Sequence, residues 1–210
     1  MRTVHVICAF YRQYLLPTHI HYLENTGIEW IAACDDVDIT PLKDNKKEWI
    51  KPILVPPLKI PGDQVYKKFN DCIDRIDIVD EDYYCFMGDD DSYEPGFFDV
   101  IRRQDSPIIL TSASGGVGHP LVIHSFMDVR VGNINLQQYI LKGSVLKQMR
   151  FNNNTPEDDG RFAEELVRRY PSQIKIISDS YTFMNYFQPG RYNGDRWKIK
   201  STWENPKIIM

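Results

Sequence analysis

Tyr83-Tyr84-Cys85-Phe86-Met87-Gly88-Asp89-Asp90-Asp91 is the stretch on which the reading of this 210-residue chain turns. Its apolar and aromatic opening has the length and composition of a short buried strand. Three adjacent carboxylates follow at once, and like charges at the end of a buried strand are costly unless something positive neutralises them. A divalent cation meets that need. Mg²⁺ and Mn²⁺ prefer oxygen ligands and are commonly held by one or two carboxylates together with substrate phosphates. A solvated acidic turn accounts for the same residues without a ligand.

Upstream of this stretch, strand and helix patterns alternate. Val4 to Phe10 is an apolar run of β-formers, and Leu15, Leu16, Ile20 and Leu23 then recur at helical spacing toward Gly27. Trp30 to Cys34 predicts a second strand ending at Asp35-Asp36, and Pro52 to Val55 a third stopped by Pro56-Pro57, with an irregular polar stretch between them. From Asp63, the positions Val65, Phe69, Cys72, Ile73 and Ile76 give an amphipathic helix, with Lys67, Lys68, Asp71 and Asp74 assigned to its polar face. Such alternation is the pattern of an α/β fold, a mostly parallel central sheet flanked by helices. Open sheets of this kind bind ligands beyond the carboxyl ends of their strands. Ala9-Phe10-Tyr11, Asp35-Asp36 and Gly88 to Asp91 are therefore expected to converge on one crevice.

Downstream the pattern is less regular. Strands are expected at Ile108 to Thr111, Leu121 to Ile123, Tyr139 to Leu141, Ile174 to Ile177 and Tyr181 to Phe187. A helix from about Glu157 to Tyr170 interrupts them, with Phe162, Leu166 and Val167 as its apolar face. Ser112 to Gly118 and the basic, Asn- and Gly-containing tail from Gln188 onward have the composition of loops over a site.

Composition narrows the class. With 42% hydrophobic residues, the chain has material for one substantial core, so residues 1–210 are expected to form a single domain. A formal net charge of -4 provides no basic field for nucleic acid or an anionic membrane. No apolar run approaches the roughly 20 residues of a transmembrane helix. Cys8, Cys34, Cys72 and Cys85 stand singly in apolar surroundings, as reduced core residues do, and a cytoplasmic location is the expectation.

The order of these motifs resembles glycosyltransferases of the GT-A (nucleotide-diphospho-sugar transferase) fold, in particular the large inverting group called family two. There an apolar strand ends in Asp-x-Asp, a proline follows, here Pro95, and an acidic pair precedes a late helix; the likeness extends over about residues 4 to 170. It implies a nucleotide-binding half over about 1–100, an acceptor-side half over about 101–187 and a mobile tail over 188–210. It implies that Ala9, Phe10 and Tyr11 contact the base, that Asp35 or Asp36 binds base or ribose, and that Lys67 and Asn70 support the nucleotide. Asp89 would reach the ribose or a metal-bound water. Asp91, with Asp90 as its competitor and Asp89 beside it, would ligate Mn²⁺ or Mg²⁺ across the donor phosphates. The segment Gly132-Asn133-Ile134-Asn135 resembles a loop that passes under the sugar; close backbone approach and a simple turn both account for its glycine.

In Thr155-Pro156-Glu157-Asp158-Asp159 the resemblance implies the base that deprotonates the acceptor, with Asp158 the choice and Glu157 and Asp159 beside it. A capping box, Thr155 at the N-cap and Asp158 at the third helical position, explains the same residues. Arg191, Arg196 and Lys198 are candidates to pair with the diphosphate. The implied partners are a nucleotide-diphosphate sugar, a UDP-sugar first, and a saccharide or other hydroxyl acceptor, with no nucleic acid. A sugar nucleotidyltransferase, a retaining enzyme, and a nucleotide-sugar binder without turnover or an interaction module are the alternatives.

Overall fold

Val4–Ala9 forms β1, and each of its six residues is buried because the strand lies inside the sheet with helices on both faces. The computed structural model describes residues 2–35, 39–57, 65–94, 96–114, 122–152, 155 and 157–183, with the backbone alone at 114 and 179–183. After β1 come α1 (Leu16–Leu23), β2 (Glu29–Cys34), α2 (Ile39–Asp44), β3 (Ile50–Leu54), α3 (Val65–Ile73), β4 (Tyr83–Gly88), β5 (Ser92–Tyr93) and α4 (Phe97–Arg102). The chain continues with β6 (Ile108–Ser114), β7 (Tyr139–Lys142), α5 (Gly143–Leu146), α6 (Asp158–Arg169) and β8 (Ile174–Phe183).

Among the described residues these strands make one eight-stranded sheet in the order β3-β2-β1-β4-β7-β6-β8-β5. The first four are parallel, as the strand and helix alternation predicts; β7 runs antiparallel to both β4 and β6. From β1 the chain builds outward through β2 and β3, then returns to place β4 on the opposite side of β1. That reversal makes the carboxyl ends of β1 and β4 the switch point of the sheet, the place where open α/β sheets bind ligands. Ala9 pairs with Gly88, so the two strands end at the same level.

Side-chain alternation separates two cores. Val4, Val6 and Cys8 join α1, α2 and α4 on one face, through Leu16, Leu42, Phe97 and Phe98. Ile7 and Ala9 join α3 and α6 on the other, through Phe69, Cys72, Phe162 and Leu166. On that second face Phe86 meets the rings of Phe69 and Phe151 edge-on at 5.5 Å each. Removing a ring at such a position costs about 3–5 kcal/mol. Pro95 lies outside the described residues; Phe97 and Phe98, the first residues of α4, pack into the core.

Several sequence expectations are corrected. The stretch between β2 and β3 contains a helix, α2, because Ile39 and Leu42, three apart, bury one short face. Val122 and Ile123 are not in a strand; only Ile123 is buried, through an amide that donates to Ser112 Oγ at 3.0 Å. Within the described residues the two late strands are one, β8, through Phe183; the expected continuation over 184–187 lies outside them. The helix after β1 ends at Leu23, where Glu24 leaves helical geometry. Lys68 is not on the polar face of α3. Positions 65, 68, 69, 72 and 73 share one side of a helix, so Lys68 lies in the apolar stripe, 2% exposed. No helix among the described residues is long and apolar enough to cross a membrane.

Candidate functional site

The loop after β1 and the turn after β4 are joined by Asp89, whose carboxylate is fully buried. Asp89 Oδ2 accepts from the main-chain amides of Tyr11 at 3.1 Å and Arg12 at 2.6 Å. Its other oxygen pairs with the Arg12 guanidinium, which also lies 3.2 Å from Asp90. Burial pushes the Asp89 carboxyl up to about 6, against the opposing pull of Arg12 and the two amides. Beneath the turn, His19 Nε2 donates to the main-chain oxygen of Asp89 at 2.6 Å; burial brings this imidazole down to about 4, so it is neutral at physiological pH.

Asp90 and Asp91 complete the acidic turn, each 7% exposed. Asp91 Oδ2 accepts from the Gly88 amide at 2.7 Å, and a Cβ on Gly88 would lie 2.8 Å from that oxygen. The glycine is what lets the carboxylate fold back over the strand end. Among the described residues no group of three or more His, Cys, Asp and Glu is arranged to hold a metal ion. Asp90 and Asp91 do fit a cation whose remaining ligands are substrate phosphates, since such a site needs only one or two protein carboxylates. Asp89 is engaged on all sides by the β1 loop.

The cations gathered at the end of β1 were hidden in the sequence. Lys68 Nζ donates to the Phe10 carbonyl at 2.9 Å and lies 5.2 Å from the Tyr11 ring centroid, while the Arg12 guanidinium lies 5.0 Å from that ring. Tyr11 thus stands between two cations at the end of β1. The neighbouring Lys67 is surface-lying and pairs with Asp71 at 2.5 Å. Phe10 is fully buried, edge-on to Trp30 at 5.7 Å, so its side chain belongs to the core, and Ala9 is equally buried. Asn70 donates to the Phe151 carbonyl at 2.9 Å and accepts its amide at 3.0 Å, tying α3 to the segment before α6. Asp35 follows β2 on the same edge of the sheet and caps the turn into α2 through its carbonyl, which accepts from Ile39 at 3.1 Å. Asp36, Arg191, Arg196 and Lys198 lie outside the described residues.

The acidic run before α6 forms a second cluster. Asp158 is 1% exposed and accepts from Thr155 Oγ1 at 3.3 Å and from the Thr155 amide at 3.5 Å. The helix begins at Asp158 with Glu157 as its N-cap, and no N-cap side-chain bond is made, so Thr155 is not the cap. Glu157 is exposed and 3.6 Å from Arg161. Asp159 is partly exposed; its Oδ1 accepts from the Gly160 amide at 2.6 Å, and the Tyr66 hydroxyl bonds to it. Burial pushes Asp159 up to about 6, with the Gly160 amide and Tyr66 holding it from going higher. Tyr66 reaches α6 because α3 starts at the carboxyl edge of the sheet, and its ring stacks on Phe151 at 5.1 Å. Tyr139 lies fully buried near both aspartates, and its hydroxyl has no hydrogen-bond partner among the described residues.

Gly132 has φ +83 and open space where a Cβ would stand, so the turn, not close backbone approach, accounts for it. Gly160 is the close approach: a Cβ there would lie 2.6 Å from Val131 Cα, so this loop packs on the first turn of α6.

Comparison with solved structures gives the fold. The chain matches S. aureus TarS 1-349 in complex with UDP at a TM-score of 0.56 and 16% identity, over 87% of this chain and 60% of that one. The same protein in complex with UDP-GlcNAc matches at 0.56 and 14%, over 87% and 58%. The inositol-1-phosphate CTP transferase from T. maritima matches at 0.56 and 10%, over 92% of this chain and 93% of that one. The chain therefore spans about 60% of the length of the TarS structures and nearly all of the CTP transferase. No family model and no curated protein matches it. The chain has the GT-A fold, shared by transferases that use nucleotide-sugars and by nucleotidyltransferases.

Proposed function

We propose that this protein is a glycosyltransferase that moves a sugar from a nucleotide-diphosphate sugar, a UDP-sugar first, to a hydroxyl of a saccharide or other acceptor, with inversion. The carrying observation is the pair of clusters: Tyr11, Lys68, Arg12 and Asp89 to Asp91 at the switch point, and a carboxylate-rich first turn of α6 on the acceptor side. The first set suits a nucleoside diphosphate. The partly exposed Arg12 and Tyr11 would meet the charged and planar parts of the donor, with the buried Lys68 behind them holding the Phe10 carbonyl, and Asp90 and Asp91 would hold Mn²⁺ or Mg²⁺ against its phosphates. The cation would supply charge neutralisation as the diphosphate leaves. The second set supplies a carboxylate to accept the acceptor's proton. Four free, buried cysteines suit a reducing, cytoplasmic compartment.

A second reading, a nucleotidyltransferase, has a specific observation behind it: the match to the CTP transferase covers both chains almost completely. Against it stands the loop Phe10-Tyr11-Arg12-Gln13, which lacks the Gly-rich, basic character expected of a triphosphate-gripping loop after the first strand.

The test is a thermal-shift panel of UDP-, GDP-, CDP- and dTDP-sugars and CTP, each with and without Mn²⁺, on the wild type and on Asp90→Asn, Asp91→Asn. A metal-dependent shift with one nucleotide sugar, lost in the variant, is the expected result. A shift with CTP alone favours the nucleotidyltransferase, and no shift with any ligand sinks both.

A further inference from the structure

We propose that Asp159, rather than Asp158, takes the proton from the acceptor hydroxyl, and that Tyr66 is the positioning residue that holds its carboxylate in place. The proposal rests on the glycosyltransferase reading above and names the base within it.

Access separates the three acids. Asp158 is 1% exposed and engaged by Thr155, so an acceptor cannot reach it without opening the turn. Glu157 is exposed on the surface, its carboxylate 3.6 Å from Arg161 one turn along the same helix. Asp159 alone is both reachable and held. The Tyr66 hydroxyl bonds to the main-chain amide of Asp159 and to its carboxylate, a two-point bracket from another helix. The Phe151 stack fixes the ring, and the Asn70 bonds to Phe151 fix that stack against α3. A base held in one orientation keeps its lone pair aimed, which is where much of the gain from positioned proton transfer arises.

The step balances simply. The acceptor O–H proton passes to Asp159, and the freed oxygen pair forms the bond to the anomeric carbon. The bond from that carbon to the diphosphate oxygen breaks, and its electron pair leaves with the nucleoside diphosphate. The groups that act on Asp159 are Tyr66 on α3, Asp158 and the Gly160 amide on α6, and Tyr139 on β7. Burial and Asp158 raise its pKa, while Tyr66 and the amide lower it, and the balance stands at about 6.

Two measurements test this. In the first, release of nucleoside diphosphate from whichever panel donor binds is followed against pH with water as acceptor, for the wild type, Asp159→Asn, Asp158→Asn and Tyr66→Phe, with donor affinity by calorimetry. Asp159→Asn is expected to lose about 100-fold or more in turnover at unchanged donor affinity, and more than Asp158→Asn loses. Tyr66→Phe keeps the Phe151 stack and should move the acidic limb upward by about one pH unit. In the second, a ¹³C carboxyl NMR titration should show the Asp159 midpoint near 6 and the same upward move in Tyr66→Phe, whatever the donor. Retained turnover in Asp159→Asn, or an unmoved limb and midpoint in Tyr66→Phe, overturns the proposal while donor binding keeps the wider reading intact. A wild type that binds no nucleotide sugar removes both.

Discussion

The main-chain amide of Arg12 donates to Asp89 Oδ2 at 2.6 Å, across 77 residues of sequence. The Arg12 guanidinium closes on the other oxygen of the same carboxylate. One side chain from the end of β4 thereby shapes the loop that follows β1. An anion with no exposed surface also makes the clamp costly to break, because the carboxylate it leaves behind cannot reach water.

Arg12 is itself partly exposed, so Arg12→Gln should destabilise the protein by about 1–3 kcal/mol, the cost of leaving the buried Asp89 carboxylate one partner short. Urea unfolding at neutral pH measures it. A loss below about 1 kcal/mol would mean that the two amides alone hold Asp89 and that the guanidinium is dispensable.

Asp159 gives the fold a pH dependence of known sign. Its carboxyl titrates at about 6 in the folded protein against 3.8 ordinarily. Between those values the folded state binds more protons than the unfolded state, so this group's contribution is complete below about pH 4 and is lost as pH rises through 6. Asp159→Asn should raise stability above pH 6 by up to about 3 kcal/mol and change little near pH 4. Equal effects at both pH values in denaturant melts would contradict the burial argument.

Gly88→Ala separates the acidic turn from the rest of the fold. Its Cβ would meet Asp91 Oδ2 at 2.8 Å, the mobile end of a side chain, so the carboxylate swings away and stability drops by only about 1 kcal/mol. Any Mn²⁺-dependent donor shift should disappear in this variant, while metal-free nucleotide binding persists. A wild-type metal response would show that Asp91 is not where the cation sits.

Asn70→Ala removes a two-bond bridge between α3 and Phe151 and leaves buried main-chain groups unpaired, at a cost of about 1–3 kcal/mol. Through Phe151 it should loosen Tyr66, so turnover falls while donor affinity stays within about twofold at a temperature where the variant is folded. A large loss of donor affinity, by calorimetry, would place Asn70 at the nucleotide instead.

Much of the first half of the chain was legible. β1, β2, β4 and α3 appear where the apolar runs place them, because strand alternation and helical stripes are local consequences of burying one face. The triple aspartate stood out because its charge repulsion needs no neighbour to be noticed. The antiparallel β7 between β4 and β6 was not legible, since a four-residue apolar strand carries no sign of its direction. α2 was not legible because two apolar residues make a weak period, nor was the burial of Lys68, a charged side chain whose position along the helix puts it in the core.

The sequence by itself determined the elements, the alternation that makes the first strands parallel, and the two acidic segments. Each of these follows from interactions among residues close along the chain. Only the tertiary structure decided what the charges do. It brought Arg12 onto Asp89, Lys68 under Phe10 and Tyr66 onto Asp159, and it sealed Asp158 while leaving Asp159 reachable. Whether a carboxylate is a clamp, a ligand or a base depends on its burial and on partners dozens of residues away, and those are set when the sheet reverses at β1 and the helices close over it.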